Sequence, residues 1–246
     1  MRSFKGWPGK RRAAISLSFD DSVLSHLQNA FPVLQRWGLR GTFYVLPGEG
    51  SLFEEHLDGW RALSENGHEL GNHTLSHPCS RRHDFTPPER ALEGWTLQQI
   101  EADIDAATQR LRELIPGLGS MSFAYPCGES FVGEGPTRRS YVPSVARRFV
   151  AARVVGNTDN DPRTCDLHRL HSWLVTGVSA DDMIAMIQPT LEAGRWGIFC
   201  FHGIGGDHLS VDTEALDGLA RYLKEHEHDI WVDTVYTIGR YLAAFS

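Results

Sequence analysis

At 246 residues and 41% hydrophobic, the chain can bury a real core, and its length suits one α/β domain over 1–246 better than two small ones. A formal charge of −7 and a pI near 5.9, with no Lys/Arg run longer than Lys10-Arg11-Arg12, exclude the basic footprint of a nucleic-acid binder. No apolar stretch approaches the roughly 18–20 residues of a membrane span. Met1-Arg2-Ser3-Phe4-Lys5-Gly6 lacks the apolar centre of a signal peptide, and Cys79, Cys127, Cys165 and Cys200 are scattered. Reduced thiols and a cytoplasmic location are therefore expected.

In chain order, the apolar run 15–19 reads as a buried strand ending in Asp20-Asp21. An amphipathic helix follows at 27–37, capped by Gly38; then come a strand at 41–46 and a helix at 53–65, capped by Gly67. The strand 69–72 runs into His73-Thr74-Leu75-Ser76-His77. In the helix expected at 97–114, Ile100, Ile104, Ala107, Leu111 and Leu114 recur at steps of three and four, which puts one apolar stripe toward a core. The strand 121–125 leads into Pro126-Cys127-Gly128, and the strand 151–155 carries Arg153. A helix at 180–193, a strand at 197–201 ending at His202, a helix at 212–225, a short strand near 230–231 and a helix at 235–244 complete the chain. Strands alternating with helices point to repeated βα units around a parallel sheet. No period of 20–50 residues repeats, which argues against a solenoid. The loops 80–87 and 128–141 follow strands, on the rim where parallel α/β folds build their sites.

Three clusters on that rim have matching chemistry. Asp20 and Asp21 end an apolar strand, where adjacent carboxylates repel unless a cation or hydrogen bonds compensate. Asp181-Asp182 is the control: it opens a helix after Ser179, where carboxylates favour the positive end of the dipole, and is structural. His73 and His77 have the spacing of a metal pair, so one aspartate can join them around a divalent ion while the other stays free as a base. His202 ends a third strand and suits a general acid. The turn at Cys127 could aim backbone N–H groups at an oxyanion.

In this order the residues resemble the polysaccharide deacetylase family, the NodB-homology carbohydrate esterases. Ser18-Phe19-Asp20-Asp21-Ser22 is similar to its Thr-Phe-Asp-Asp-Gly motif, His73-Thr74-Leu75-Ser76-His77 to its His-[Ser/Thr]-x-x-His motif, and His202 to the histidine of Leu-x-x-His. The resemblance runs over about residues 13–205. It implies a distorted (β/α)7 barrel holding Zn²⁺, or alternatively Co²⁺ or Mn²⁺, through Asp21, His73 and His77. It further implies Asp20 as general base, His202 as the protonated donor to the leaving group, and the Cys127 backbone N–H at the oxyanion.

Three departures stand out. Ala124 occupies the place of the family arginine that pairs with the base, and Arg153 is the candidate replacement, with Arg138/Arg139 and Arg147/Arg148 behind it. The Asp-x-x-Asp-Trp motif is not recognisable, leaving Asp159, Asp161 and Asp166 as candidates to support His202. Ser22 replaces glycine. The expected activity is metal-dependent removal of acetyl groups from an N- or O-acetylated sugar polymer or oligomer, with Trp95, Tyr125, Tyr141 and Trp173 as candidate stacking residues. Hydrolysis of a small non-polymeric or cyclic amide is the alternative substrate reading. A silent carbohydrate-binding domain and a metal-stabilised structural domain are the non-enzymatic alternatives.

Overall fold

In the computed structural model, which describes residues 3–245, every residue of strand β1 (Ala13–Asp20) is buried. Met1 and Arg2, part of the N-terminal stretch considered above, lie outside the described residues. A strand covered on both faces needs no polar alternation, which explains its continuous apolar run. After β1 come α1 (Phe31–Trp37), β2 (Thr42–Val45), α2 (Leu52–Glu55), α3 (Leu57–Glu65), β3 (Glu69–Asn72), α4 (Leu97–Leu114) and β4 (Phe123–Ala124). There follow β5 (Phe131–Val132), β6 (Arg139–Ser140), α5 (Val142–Ala146), β7 (Ala152–Arg153), β8 (Trp173–Leu174), α6 (Ala180–Ala193), β9 (Trp196–Phe201), α7 (Thr213–Glu225), β10 (Ile230–Val232) and α8 (Val235–Ala243).

The main sheet runs β7-β4-β3-β2-β1-β9-β8, with β10 added beside β1. All its pairings are parallel. One edge of β1 is shared: Ala13 faces Ile230 of β10, while Ser18 faces Thr42 of β2. At the far edges, Leu170 exchanges hydrogen bonds with β7, its N–H reaching Ala152 O and its carbonyl accepting from Val154. Leu174 then pairs with Cys200 of β9. The short stretch from Leu170 to Leu174 thus spans the gap between the two edges and curls the sheet into the distorted (β/α)7 barrel expected from the sequence.

Aromatic side chains fill the curl. Phe19 stacks on Phe43 and Phe201 with centroids 4.6 and 5.1 Å apart, and each fully buried side chain of this size contributes roughly 1.5–3 kcal/mol. A second cluster joins Trp7, Trp196, Ile198, Ile238 and Leu242 beneath β1 and β9. On α4, Ile100, Ile104, Ala107 and Leu111 are buried, and a Thr96–Gln99 capping box fixes its start. Leu114, at the end of that stripe, is only partly buried.

Several boundaries differ from the sequence reading for physical reasons. The stretch 121–125 is strand only at Phe123–Ala124, because the Ser122 N–H donates to the buried Glu69 carboxylate rather than to a neighbouring strand. The stretch 27–37 is divided into a π-helical turn, His26–Ala30, and α1. The stretch 53–65 breaks at His56, which caps both pieces. The 128–141 loop contains the β5–β6 hairpin. Gly38 caps α1 in the left-handed conformation, whereas Asn66 caps α3 and Gly67 follows it. Asp182 completes a capping box with Ser179, the structural role expected of that pair.

The expectation of reduced thiols fails at one pair: Cys79 and Cys127 form a disulfide. They are 48 residues apart in sequence, but β3 and β4 are neighbours, so the loops that follow them lie side by side on the rim. Sequence spacing hid that adjacency. Closing a loop of this length is worth about 2–4 kcal/mol. Dithiothreitol, or Cys79→Ser, should therefore lower the unfolding free energy by about that amount in urea titrations; an unchanged midpoint would show that the bridge adds nothing to stability.

Candidate metal centre and catalytic site

Successive side chains of a strand point to opposite faces, yet Asp20 and Asp21 enter one site. Asp20 closes β1, and the backbone then turns through left-handed conformations at Asp21 (φ 79°) and Ser22 (φ 56°). That turn cancels the alternation. Ser22 occupies the place of the family glycine, and its hydroxyl accepts the Leu46 N–H at 2.8 Å, tying the turn to the end of β2.

The histidine pair is positioned similarly. His73 follows β3, and its Nδ1–H donates to Ala124 O at 2.9 Å, which directs Nε2 at the aspartates. Thr74 is left-handed and its hydroxyl accepts the His77 N–H. Asp103 of α4 accepts from Leu75 N, Ser76 N and the Ser76 hydroxyl, anchoring the loop from outside. His73 Nε2 and His77 Nε2 then lie 3.4 and 3.3 Å from Asp21 Oδ1.

The two oxygens of Asp21 have different surroundings. Oδ2 accepts from His208 Nε2 at 2.8 Å, whereas Oδ1 is buried without a hydrogen-bond partner. Burial opposes ionisation, but the hydrogen bond from His208 and the nearness of the His73 and His77 rings override it and hold the carboxyl well below its usual 3.8. An orphaned anionic oxygen facing two imidazole nitrogens is a donor set that suits a divalent ion of the zinc type, and Asp21, His73 and His77 are close enough to share one.

Asp20 is held differently. Its Oδ1 pairs with the Arg153 guanidinium, which also donates to the Ser18 hydroxyl. Both side chains are buried. Arg153 sits over the Tyr44 ring, 4.8 Å from its centroid. Burial pushes the Asp20 pKa up, and Arg153, followed by His73 and His202, brings it below 3.8. In register, Arg153 on β7 is the partner of Ala124 on β4. The arginine missing from position 124 is thus supplied from the neighbouring strand. On the other side of Asp20, the Cys200 thiol approaches Oδ2 at 3.6 Å, and burial raises its pKa, keeping it protonated.

His202 follows β9 with Nε2 3.7 Å from Asp21 Oδ2. Burial moves its pKa below 6.5, against the pull of the nearby Asp20 and Asp21 carboxylates. Its Nδ1 is buried without a hydrogen-bond partner. None of the three aspartates considered for it arrives: Asp159 binds Thr190 and Arg195, Asp161 accepts from Arg163 N, and Asp166 accepts from His168 N. Cys127 lies on a left-handed turn after β4 and faces the same cavity, of about 730 Å³. Of the aromatic candidates, only Tyr125 lines this cavity; Tyr141 and Trp173 are buried in the core, and Trp95 packs against it.

His208 was missed in the sequence. It follows Gly203-Ile204-Gly205-Gly206-Asp207, a loop that folds back so that Gly203 N–H meets His208 O at 2.9 Å. A Cβ on Gly203 would fall 1.9 Å from Gly206 O, so this fold requires glycine there. A histidine after a glycine-rich turn at a strand end was the available signal.

A family model described as "Polysaccharide deacetylase" matches residues 8–133, just over half of the chain. The chain resembles "Gellan lyase" of Bacillus sp, 27% identical over 123 residues, which are 50% of this chain and 4% of that protein. It spans well under two thirds of the length of the curated relatives it matches. Among solved structures, it resembles the family 4 acetyl xylan esterase from Clostridium thermocellum in complex with a cobalt ion, with TM-score 0.59, 18% identity and coverage of 95% of this chain and 93% of that one. It also resembles the peptidoglycan deacetylase PdaC from Bacillus subtilis, with TM-score 0.59, 16% identity and coverage of 97% and 94%. At these identities the structural likeness establishes the fold.

The Arg153–Asp20 pair yields a two-part expectation. A carboxyl held below its ordinary pKa contributes stability above that value and loses it as the pH falls through the folded pKa. Arg153→Met keeps much of the stem and deletes the charge, so the Asp20 pKa should rise, the acid limb of kcat/KM should move to higher pH, and unfolding free energy should fall by about 3–5 kcal/mol at pH 7. An unmoved acid limb with unchanged stability would mean that the pair does not tune Asp20.

Proposed function

The chain belongs to the polysaccharide deacetylase family, and from that premise we propose that it is a divalent-metal hydrolase removing acetyl groups from an N- or O-acetylated carbohydrate. The observation that carries this reading is the unequal treatment of two adjacent carboxylates: Asp20 is neutralised by Arg153, while Asp21 Oδ1 stays open between His73 and His77. Names among the similar proteins, a peptidoglycan deacetylase and an acetyl xylan esterase, support acetylated carbohydrate as the substrate class. A cobalt ion in one of them supports a divalent metal, here Zn²⁺ with Co²⁺ or Mn²⁺ as alternatives.

Asp21, His73 and His77 would hold the ion, which when bound supplies Lewis acidity toward water and the acyl carbonyl. His208 fixes Asp21 Oδ2 and thereby presents Oδ1, the kind of outer support that metal ligands depend on. Asp20, ionised at neutral pH, takes the proton of the attacking water. His202, protonated from solvent, donates that proton to the leaving nitrogen or oxygen. The Cys127 N–H bears on the developing oxyanion, on a turn pinned by the disulfide. That bridge also supports work in an oxidising compartment.

A silent binding domain would gain nothing from a buried carboxylate pair. A structural metal site would close around four protein ligands, whereas Asp21, His73 and His77 open onto a cavity.

Two variants separate the roles. Asp20→Asn should keep metal affinity while kcat on acetylated oligosaccharide falls by on the order of 10²–10⁴. His208→Ala should weaken metal binding by about 10–100-fold in chelator competition. Asp20→Asn with full activity would make Asp20 structural, and His208→Ala with unchanged metal affinity would remove His208 from the centre.

A further inference from the structure

The floor of the cavity is polar, and its exposed rim carries large apolar side chains beside His83, Arg90 and His208. Among the described residues four large apolar side chains are exposed, and three of them, Phe85 (68%), Leu174 (37%) and Leu209 (45%), line the cavity that holds Asp20, Asp21 and His202. They come from three separate segments. Phe85 lies in the loop after the histidine pair, its ring stacked on His83. Leu174 ends β8, opposite Cys200. Leu209 follows His208 with φ 47°, a left-handed conformation that is unfavourable for leucine and is retained where surrounding structure or function requires it. Leu46 and Val155 continue the same surface inward.

Single exposed leucines are ordinary, but three bulky apolar groups converging from separate segments on one concavity are not. Phe85 and Tyr125 offer aromatic faces to the cavity, but Tyr141 and Trp173 are in the core, and Leu174 and Leu209 add aliphatic surface that a bare sugar chain has no use for. A cavity of about 730 Å³ has the size of pockets that enclose drug-sized ligands, far larger than an acetyl group needs.

We propose that the substrate carries an apolar group larger than acetyl, aliphatic or aromatic, close to the hydrolysed carbonyl, and that Phe85, Leu174 and Leu209 form the collar that selects it. This rests on the hydrolytic reading for the position of the carbonyl: on the leaving-group side the apolar group narrows the acetylated substrate class, and on the acyl side it takes the place of acetyl. The apolar group can lie on the acyl side or on the leaving-group side; the chemistry of recognition is the same. Each methylene buried against the collar should be worth about fourfold in kcat/KM.

The test uses the metal-loaded protein and two series: p-nitrophenyl acetate, butyrate and octanoate vary the acyl side, while ethyl and phenethyl acetate vary the leaving side. In one series kcat/KM should rise by on the order of tenfold or more from the small to the apolar member. That ratio should fall below about threefold in Phe85→Ser and Leu209→Ser, whose exposed positions allow folding, and persist in Leu52→Ser, which is exposed elsewhere. Flat ratios in both series, or ratios that survive the collar variants, overturn the proposal while leaving the hydrolytic reading intact. If no substrate is turned over, calorimetry with acetamide and octanamide decides: collar-dependent preference for octanamide upholds the collar and removes the hydrolytic reading, and no preference overturns both.

Discussion

Two adjacent carboxylates cannot share a buried site as anions unless each is separately compensated, and the rim of this sheet is organised around that constraint. Asp20 finds its compensation within the protein, in Arg153. Asp21 is satisfied at one oxygen by His208 and left open at the other toward His73 and His77. Burial would raise both pKa values, yet both are lowered. In the proposed reading this asymmetry separates base from ligand: the guanidinium keeps Asp20 ionised with its charge answered inside the protein, while the bare oxygen of Asp21 is free to meet a cation.

Holding this arrangement strains the backbone where the site is. Of nine non-glycine residues with positive φ among those described, Asp21, Ser22, Thr74, His77, Cys127, Asp207 and Leu209 belong to the loops around the cavity. Such conformations persist when surrounding structure over-determines them, and each loop has its tether: Ser22 to Leu46, Ser76 to Asp103, Cys127 to Cys79, Asp207 to Ser25. The sheet supplies rigid ends, and the tethers hold the loops in conformations that regular structure would not adopt.

Much of this was legible in the sequence because strand ends are legible. Apolar runs that stop at Asp20 and Phe201, and the short stretch that ends at Asn72 before the histidine pair, mark where the chain reaches the rim, and parallel strands place those ends on one side. What the sequence hid depends on lateral adjacency. That Arg153 answers for Ala124 follows from the register of β4 and β7; residue types alone made it one candidate among several arginines. The disulfide follows from β3 lying beside β4, and His208 from a glycine loop that folds back on itself. The two-residue β8 has too little periodicity to be read from sequence, although it completes the curl of the sheet.

The central claim, that the two aspartates divide into ligand and base, is tested most directly by crystallography of the protein with Co²⁺ or Zn²⁺, locating the ion by anomalous scattering. One ion should lie about 2.0–2.2 Å from Asp21 Oδ1, His73 Nε2 and His77 Nε2, with Asp20 still paired to Arg153. An ion ligated by Asp20 in place of Asp21, or none at this position under saturating metal, would contradict the division of roles.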